Sequence, residues 1–190
     1  MRDNLLINVR GTSGSGKSTV VFELFKKYPV RELDLDAKGR ASNYEVTLPG
    51  NKKLYVIGRY STQCGGCDGI GSNLEVMRRA EHYAKKGHVL LEGLLLSSSY
   101  GALGMWSERY KNRFIFAFLD TPIDVCLKRV NARRRKRGVM EPVNPKNTTD
   151  KWRNCQACAR NIEQTHHRCV VWLDYRTPTA QVLRLLGVQS

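Results

Sequence analysis

Long apolar runs are missing from this sequence. No stretch of its 190 residues approaches the ~20 consecutive apolar residues that span a bilayer, so no transmembrane helix is expected. The apolar segment after Met1-Arg2-Asp3-Asn4 runs only from Leu5 to Val9, too short for the core of a secretory signal, which points to a cytoplasmic protein. Internal repeats are absent, and low-complexity sequence is confined to Arg133-Arg134-Arg135-Lys136-Arg137. Acidic residues are scarce: 17 Asp and Glu face 32 Lys and Arg, a net charge of +15. A pocket for a small nucleotide needs a few cations, not a surplus of this size. A polyanion accounts for it better, because each neutralised phosphate releases counterions, and nucleic acid is the expected partner. The six cysteines read as free thiols in a reducing compartment.

What is present alternates between strand and helix patterns. Leu5 to Val9 reads as a buried strand entering a Gly/Ser loop, and Lys17 to Tyr28 as a helix stopped by Pro29. Arg31 to Asp36 reads as a second strand. Tyr44 to Leu48 and Lys53 to Tyr60 form a hairpin around Pro49-Gly50-Asn51. Ser72 and Glu75 make a capping box for a helix that Gly87 ends. Strands follow at His88 to Leu91, Arg113 to Leu119 and Cys169 to Leu173. Helices are expected from Asp120-Thr121-Pro122 to Gly138, from Thr149 to His166, and from Pro178 to Leu186. Such alternation predicts an α/β fold with a mostly parallel sheet.

Gly11-Thr12-Ser13-Gly14-Ser15-Gly16-Lys17-Ser18 lies between the first strand and the first helix, the context a phosphate-binding loop requires. Its glycines let backbone N–H groups wrap phosphates above a helix N-terminus. Lys17 is expected at the β- and γ-phosphates of ATP, Ser18 on Mg²⁺, and Thr19 near the α-phosphate. Glu92 closes the apolar strand His88-Val89-Leu90-Leu91, and strand C-termini face the ligand crevice in open α/β sheets. Glu92 would hold Mg²⁺ through water or position the acceptor. Arg129, Arg133 and Arg137 share a helical face at i, i+4 spacing and could deliver cations to a transferring phosphoryl group. Arg134 and Arg135 would point outward, toward a nucleic-acid backbone.

The phosphate loop, the apolar-strand-Glu-Gly element, Leu119-Asp120-Thr121-Pro122 and the arginine helix occur in the order seen in P-loop kinases of the nucleoside-monophosphate-kinase-like group, which this chain resembles. The resemblance implies a P-loop NTPase three-layer sandwich, one kinase domain over residues 1–190, and a helical arginine-rich lid at about 129–150. Gly58-Arg59-Tyr60 and Cys64-Gly65-Gly66-Cys67-Asp68-Gly69-Ile70 are similar to bacteriophage P-loop kinases that phosphorylate 5-hydroxymethyluracil within DNA, where the phosphorylated base is an intermediate in thymine hypermodification. This likeness implies transfer from ATP to a base hydroxymethyl group, in the host cytoplasm if a phage encodes the chain. A small-molecule nucleotide or nucleoside kinase is the alternative, and a non-catalytic, nucleotide-dependent DNA-binding ATPase the second.

The acceptor hydroxyl benefits from a carboxylate that takes its proton. Asp68, in the Gly-rich loop, and Asp36, at the end of the second strand, both qualify. Tyr60, Tyr44, Trp106 and Tyr100 could stack on an extruded base, and Arg59 could contact a DNA phosphate. Cys64/Cys67 and Cys155/Cys158 have zinc-ligand spacing within each pair, but the pairs lie far apart, and His166-His167 with Cys169 is a further candidate cluster.

Overall fold

The computed structural model describes residues 4–62, 65–97 and 100–189. In chain order the first half contains β1 (Leu6–Arg10), α1 (Lys17–Lys27), β2 (Val30–Leu33), β3 (Asn43–Leu48), β4 (Lys52–Ile57) and α2 (Asn73–Ala84). The second half contains β5 (His88–Glu92), α3 (Leu94–Ser97), α4 (Gly101–Tyr110), β6 (Phe114–Asp120), α5 (Ile123–Lys136), α6 (Pro145–Gln164), β7 (Val170–Asp174) and α7 (Pro178–Leu185). The strands form a seven-stranded sheet in the order β2-β3-β4-β5-β1-β6-β7. All neighbours from β4 to β7 pair in parallel, and β3 runs against both β2 and β4. The central strands are nearly continuous apolar runs because both of their faces are covered, as in other parallel sheets.

Alternate side chains of β1 enter opposite cores. Ile7 and Val9 pack with Val20, Val21 and Leu24 of α1 and with Val182 and Leu183 of α7. Leu6 packs on the other face with Val76 and Met77 of α2, Leu103 of α4, and Ala159 and Ile162 of α6. The result is the three-layer α/β/α sandwich of a P-loop fold. Arg10, the last residue of β1, is fully buried. Its Nε donates to Asn8 Oδ1 and its guanidinium to Cys158 Sγ of α6, with its carbon 4.7 Å from the centre of the Phe116 ring. Burial lowers its pKa to about 10.

Three local differences from the sequence expectation have identifiable causes. β2 ends at Leu33, so Asp36 belongs to a turn in which the Gly39 N–H returns to the Asp36 carbonyl at 2.8 Å. α6 begins at Pro145 rather than at Thr149: Asn144 caps it by accepting from the Lys146 N–H at 2.9 Å, and proline suits the first helical position. α3 and α4 have no counterpart in the sequence reading: α3 is only four residues long, and Gly101 and Gly104 dilute the helical pattern of α4.

Among the described residues no helix is long and apolar enough to cross a membrane. Zinc finds no support either. Among the described residues no group of three or more His, Cys, Asp or Glu could hold a metal ion. Cys158 serves Arg10, and the Cys67 thiol is directed to the Ile57 carbonyl at 3.4 Å. His166 stacks on Tyr100 with ring centres 3.8 Å apart. Cys64 lies outside the described residues.

Candidate active site

β1 delivers the chain into the loop Gly11–Gly16, and α1 starts directly beyond it. Gly16 offers no side-chain cap and the first turn of α1 has no acid, so its N–H groups are open to an anion. Lys17 is buried, and its ammonium donates to the carbonyls of Gly11 at 2.8 Å and Thr12 at 3.1 Å. Burial lowers its pKa, and the charge of Glu92 opposes that shift. The hydroxyls of Thr12 and Ser15 are buried and have no hydrogen-bond partner. A loop holding a cation, open N–H groups and two unpartnered hydroxyls fits a polyphosphate.

Two flanking elements brace the loop. Ser97 of α3 accepts from the Gly11 N–H at 3.2 Å and donates to the Gly93 carbonyl at 2.6 Å. Thr121 donates to the Ser15 carbonyl at 2.9 Å, and Arg129 of α5 donates to the same carbonyl at 3.2 Å. Gly14, at φ +81°, lies against α5, and a Cβ there would collide with the Cys126 carbonyl oxygen. Gly14→Ala is therefore expected to weaken ATP binding and to destabilise the fold by about 1–3 kcal/mol. Nucleotide titration and thermal unfolding would read both effects.

Glu92 ends β5 across the cleft from α1. Ser18 Oγ donates to Glu92 Oε1 at 2.8 Å, the arrangement that a hydroxyl and a carboxylate need to share a divalent cation. Burial raises the Glu92 pKa, while Lys17 and the Ser18 hydrogen bond act against the rise. Gly66 makes this close packing possible. At φ +105° it lies so near Glu92 that a Cβ would come within 2.7 Å of the carboxylate oxygen. The donor set fits Mg²⁺, which keeps waters and phosphate oxygens and needs few protein ligands.

The cleft encloses about 580 Å³ and joins the phosphate loop to Asp68, Gly65 and Glu92 on one side and to Arg129, Arg133 and Lys136 on the other. Asp68 sits in a 3₁₀ turn, Cys67–Gly69, and its Oδ1 accepts from the Leu95 N–H at 3.1 Å. Asp36 does not line the cleft. It accepts from the backbone of Lys38 and Arg40 and pairs with Arg40 at 2.8 Å and Arg59 at 3.4 Å. Hydrogen bonds from Arg40 hold its carboxyl down at about 2.

Several sequence expectations need correction. Tyr60 does not present its ring to a ligand. It is buried among Phe22, Phe25 and Tyr44, and burial followed by the nearby Glu92 charge raises its phenol pKa. Tyr44 is likewise buried, and Tyr100 is occupied by His166. Arg137 is the C-cap of α5 and does not line the cleft. Lys136 takes that place because α5 ends one residue earlier, which leaves i, i+4 and i+7 as the facing positions. Arg134 donates to the Glu141 carbonyl at 2.9 Å, and Arg135 is exposed. Phe22, Ser97 and Lys136 went unnoticed in the sequence. Phe22 could have been found from its position four residues after Ser18 on the same helix face.

No protein-family model matches the chain. Curated relatives do. The chain is 35% identical over 169 residues to the 5-hmdU DNA kinase of Pseudomonas phage PaMx11, covering 86% of this chain and 87% of that protein. It is 32% identical over 152 residues to the 5-hmdU DNA kinase of Pseudomonas phage M6, covering 71% and 75%. A solved gluconokinase from Sinorhizobium meliloti 1021 overlays at a TM-score of 0.49 with 15% identity, covering 98% of this chain and 92% of that one. With a kinase-type phosphate loop at the head of its sheet and relatives of this closeness, the chain is a phosphotransferase with a hydroxyl acceptor and belongs to the family of phage proteins named 5-hmdU DNA kinase.

Proposed function

We propose that the chain transfers the γ-phosphoryl group of ATP to the hydroxymethyl oxygen of 5-hydroxymethyluracil in DNA, as a step in thymine hypermodification in the host-cell cytoplasm. The observation that carries this reading is the cleft itself. Its lining brings Lys17 and the Ser18–Glu92 pair together with the carboxylate of Asp68, which supports a metal-bound triphosphate and an acceptor hydroxyl sharing one cleft. The relatives' names supply the acceptor.

In this mechanism Lys17 and the N–H groups of the loop bind the β- and γ-phosphates, and Arg129, Arg133 and Lys136 offset negative charge on the transferring group. Ser18 and Glu92 would hold Mg²⁺, which would supply positive charge against the negative charge of the triphosphate. Asp68 accepts the proton of the hydroxymethyl group as its oxygen bonds to the γ-phosphorus. The bond from that phosphorus to the β,γ-bridging oxygen breaks, and ADP leaves. Residues 129–150 act as the lid over this reaction.

Charge favours a polymer over a free nucleotide. Glu45, Asp36, Glu75 and Asp174 pair with cations elsewhere, whereas no ion pair among the described residues engages Arg134 or Arg135, which lie outside the cleft lining. Arg134 and Arg135 would follow the DNA backbone, with Arg59 as a further phosphate contact. Arg135→Ala should weaken DNA binding irrespective of sequence and reduce the slope of log K against log salt by about one, in a salt titration by fluorescence anisotropy.

The direct test is transfer of γ-labelled phosphate to ordinary DNA, to DNA containing 5-hydroxymethyluracil, and to the free nucleoside and nucleotide. Label is expected in the modified DNA alone. Label confined to a free nucleoside or nucleotide would replace this reading with a metabolic kinase.

A further inference from the structure

The acceptor half of the cleft contains a side chain without a role in phosphate chemistry. Phe22 lies on α1 one turn beyond Ser18 and lines the cleft together with Gly65, Asp68 and Glu92. It is the one aromatic ring among the described residues that does so. Its position is braced from behind. The buried Tyr60 meets it edge-on, with ring centres 5.9 Å apart and planes at 88°. Tyr60 is in turn held by Phe25 and Tyr44 at 5.7 and 5.8 Å. The perpendicular contact braces Phe22 from the core side, while the residue still lines the cleft wall, where a planar group can pack against it.

We propose that Phe22 is the stacking platform for the acceptor base, and that the cleft takes a planar heterocycle extruded from its strand rather than a sugar or polyol. The inference rests on the DNA-base reading above and deepens it. A stacked pyrimidine occupies the wall between the phosphate loop and Asp68, so its exocyclic hydroxymethyl group turns toward the carboxylate. A base inside a duplex has both faces covered by its neighbours, so the nucleotide must leave the stack before it can pack against Phe22. Stacking is indifferent to the base's hydrogen-bonding edge, which leaves recognition of the hydroxymethyl group to Asp68 and Glu92.

The test compares Phe22→Leu, Phe22→Ala and Phe22→Tyr on an oligonucleotide with a single 5-hydroxymethyluracil and a neighbouring 2-aminopurine that brightens when the base leaves the stack. Phe22→Leu keeps apolar bulk in the cleft wall, so it is informative even if the alanine variant fails to fold. Loss of stacking should raise the KM for DNA by roughly 5- to 150-fold in the leucine variant, with the KM for ATP little changed. The 2-aminopurine signal should fall in parallel, and Phe22→Tyr should retain both. A leucine variant equal to wild type in DNA KM and fluorescence, or a tyrosine variant as impaired as leucine, would overturn the platform. Failure of the wild-type protein to label the oligonucleotide at all would instead remove the DNA-base reading on which the platform rests.

Discussion

Lys17→Met should lower kcat by about 10²–10³-fold, equivalent to ~2.7–4 kcal/mol of lost transition-state stabilisation, while the protein still unfolds cooperatively. The ammonium of the lysine lies against the loop, held by the Gly11 and Thr12 carbonyls. Those carbonyls aim the charge, and arriving phosphates exchange with them. Burial lowers the lysine pKa and Glu92 opposes the shift, so the loop holds a cation at a desolvation cost that phosphate oxygens offset. Methionine keeps the stem and removes the charge, which separates electrostatics from packing. Steady-state transfer kinetics with a thermal melt of the same sample would check both halves. A variant with wild-type kcat would show that the phosphates are stabilised from elsewhere.

Asp68→Asn should cost about 10²–10⁴-fold in kcat, the range for a positioned general base, while Asp36→Asn leaves kcat near wild type. Both acids are exposed enough to reach solvent, but their surroundings differ. Asp36 is engaged by Arg40 and Arg59, and hydrogen bonds from Arg40 hold its carboxyl at about 2, which makes it a weak proton acceptor. Asp68 shares the cleft with Lys17, Ser18 and Glu92. Single-turnover transfer would measure the chemical step without product release. Equal losses in the two variants would contradict this division of roles. Glu92 adds a pH dependence of known sign. Its pKa is raised by burial, so the carboxylate proposed to hold Mg²⁺ is charged above that raised value and loses its charge as pH falls through it. The Mg²⁺ concentration that half-saturates activity should therefore rise on the acidic side, and a Mg²⁺ titration at several pH values would show it.

The parts of the molecule governed by short-range rules were legible in the sequence. The phosphate loop, the strand that ends in Glu92 and the proline-started α5 each announce themselves within a dozen residues, because turn chemistry and apolar runs are local. The likeness in Gly58-Arg59-Tyr60 and the Gly-Gly-Cys-Asp segment pointed to the right family, although its tyrosine proved to be a core residue. Tyr60 illustrates why. Whether an aromatic after a strand faces ligand or core depends on Phe25 and Tyr44, which are distant in sequence. The Asp36 turn is set by Arg40 and Arg59 together, and the second of these is also a long-range partner. The arginine face of α5 was off by one position because helix ends are the least certain feature of a pattern. α3 was hidden by its length: four residues carry no period, yet its Ser97 supports the first N–H of the phosphate loop.

The connection between α5 and α6 is cross-braced along its length. Asn131 accepts from the Val143 N–H at 2.8 Å, Arg134 holds the Glu141 carbonyl, and Trp152 of α6 donates to the Thr121 carbonyl at 3.0 Å, at the root of α5. The basic tip is thus a strut before any ligand arrives, unlike the arginine-rich tails that fold only on contact. If DNA follows this segment as proposed, little chain entropy is left for the segment to lose on binding. Association through it should then be dominated by counterion release, with little of the heat-capacity change that accompanies a segment folding onto its partner.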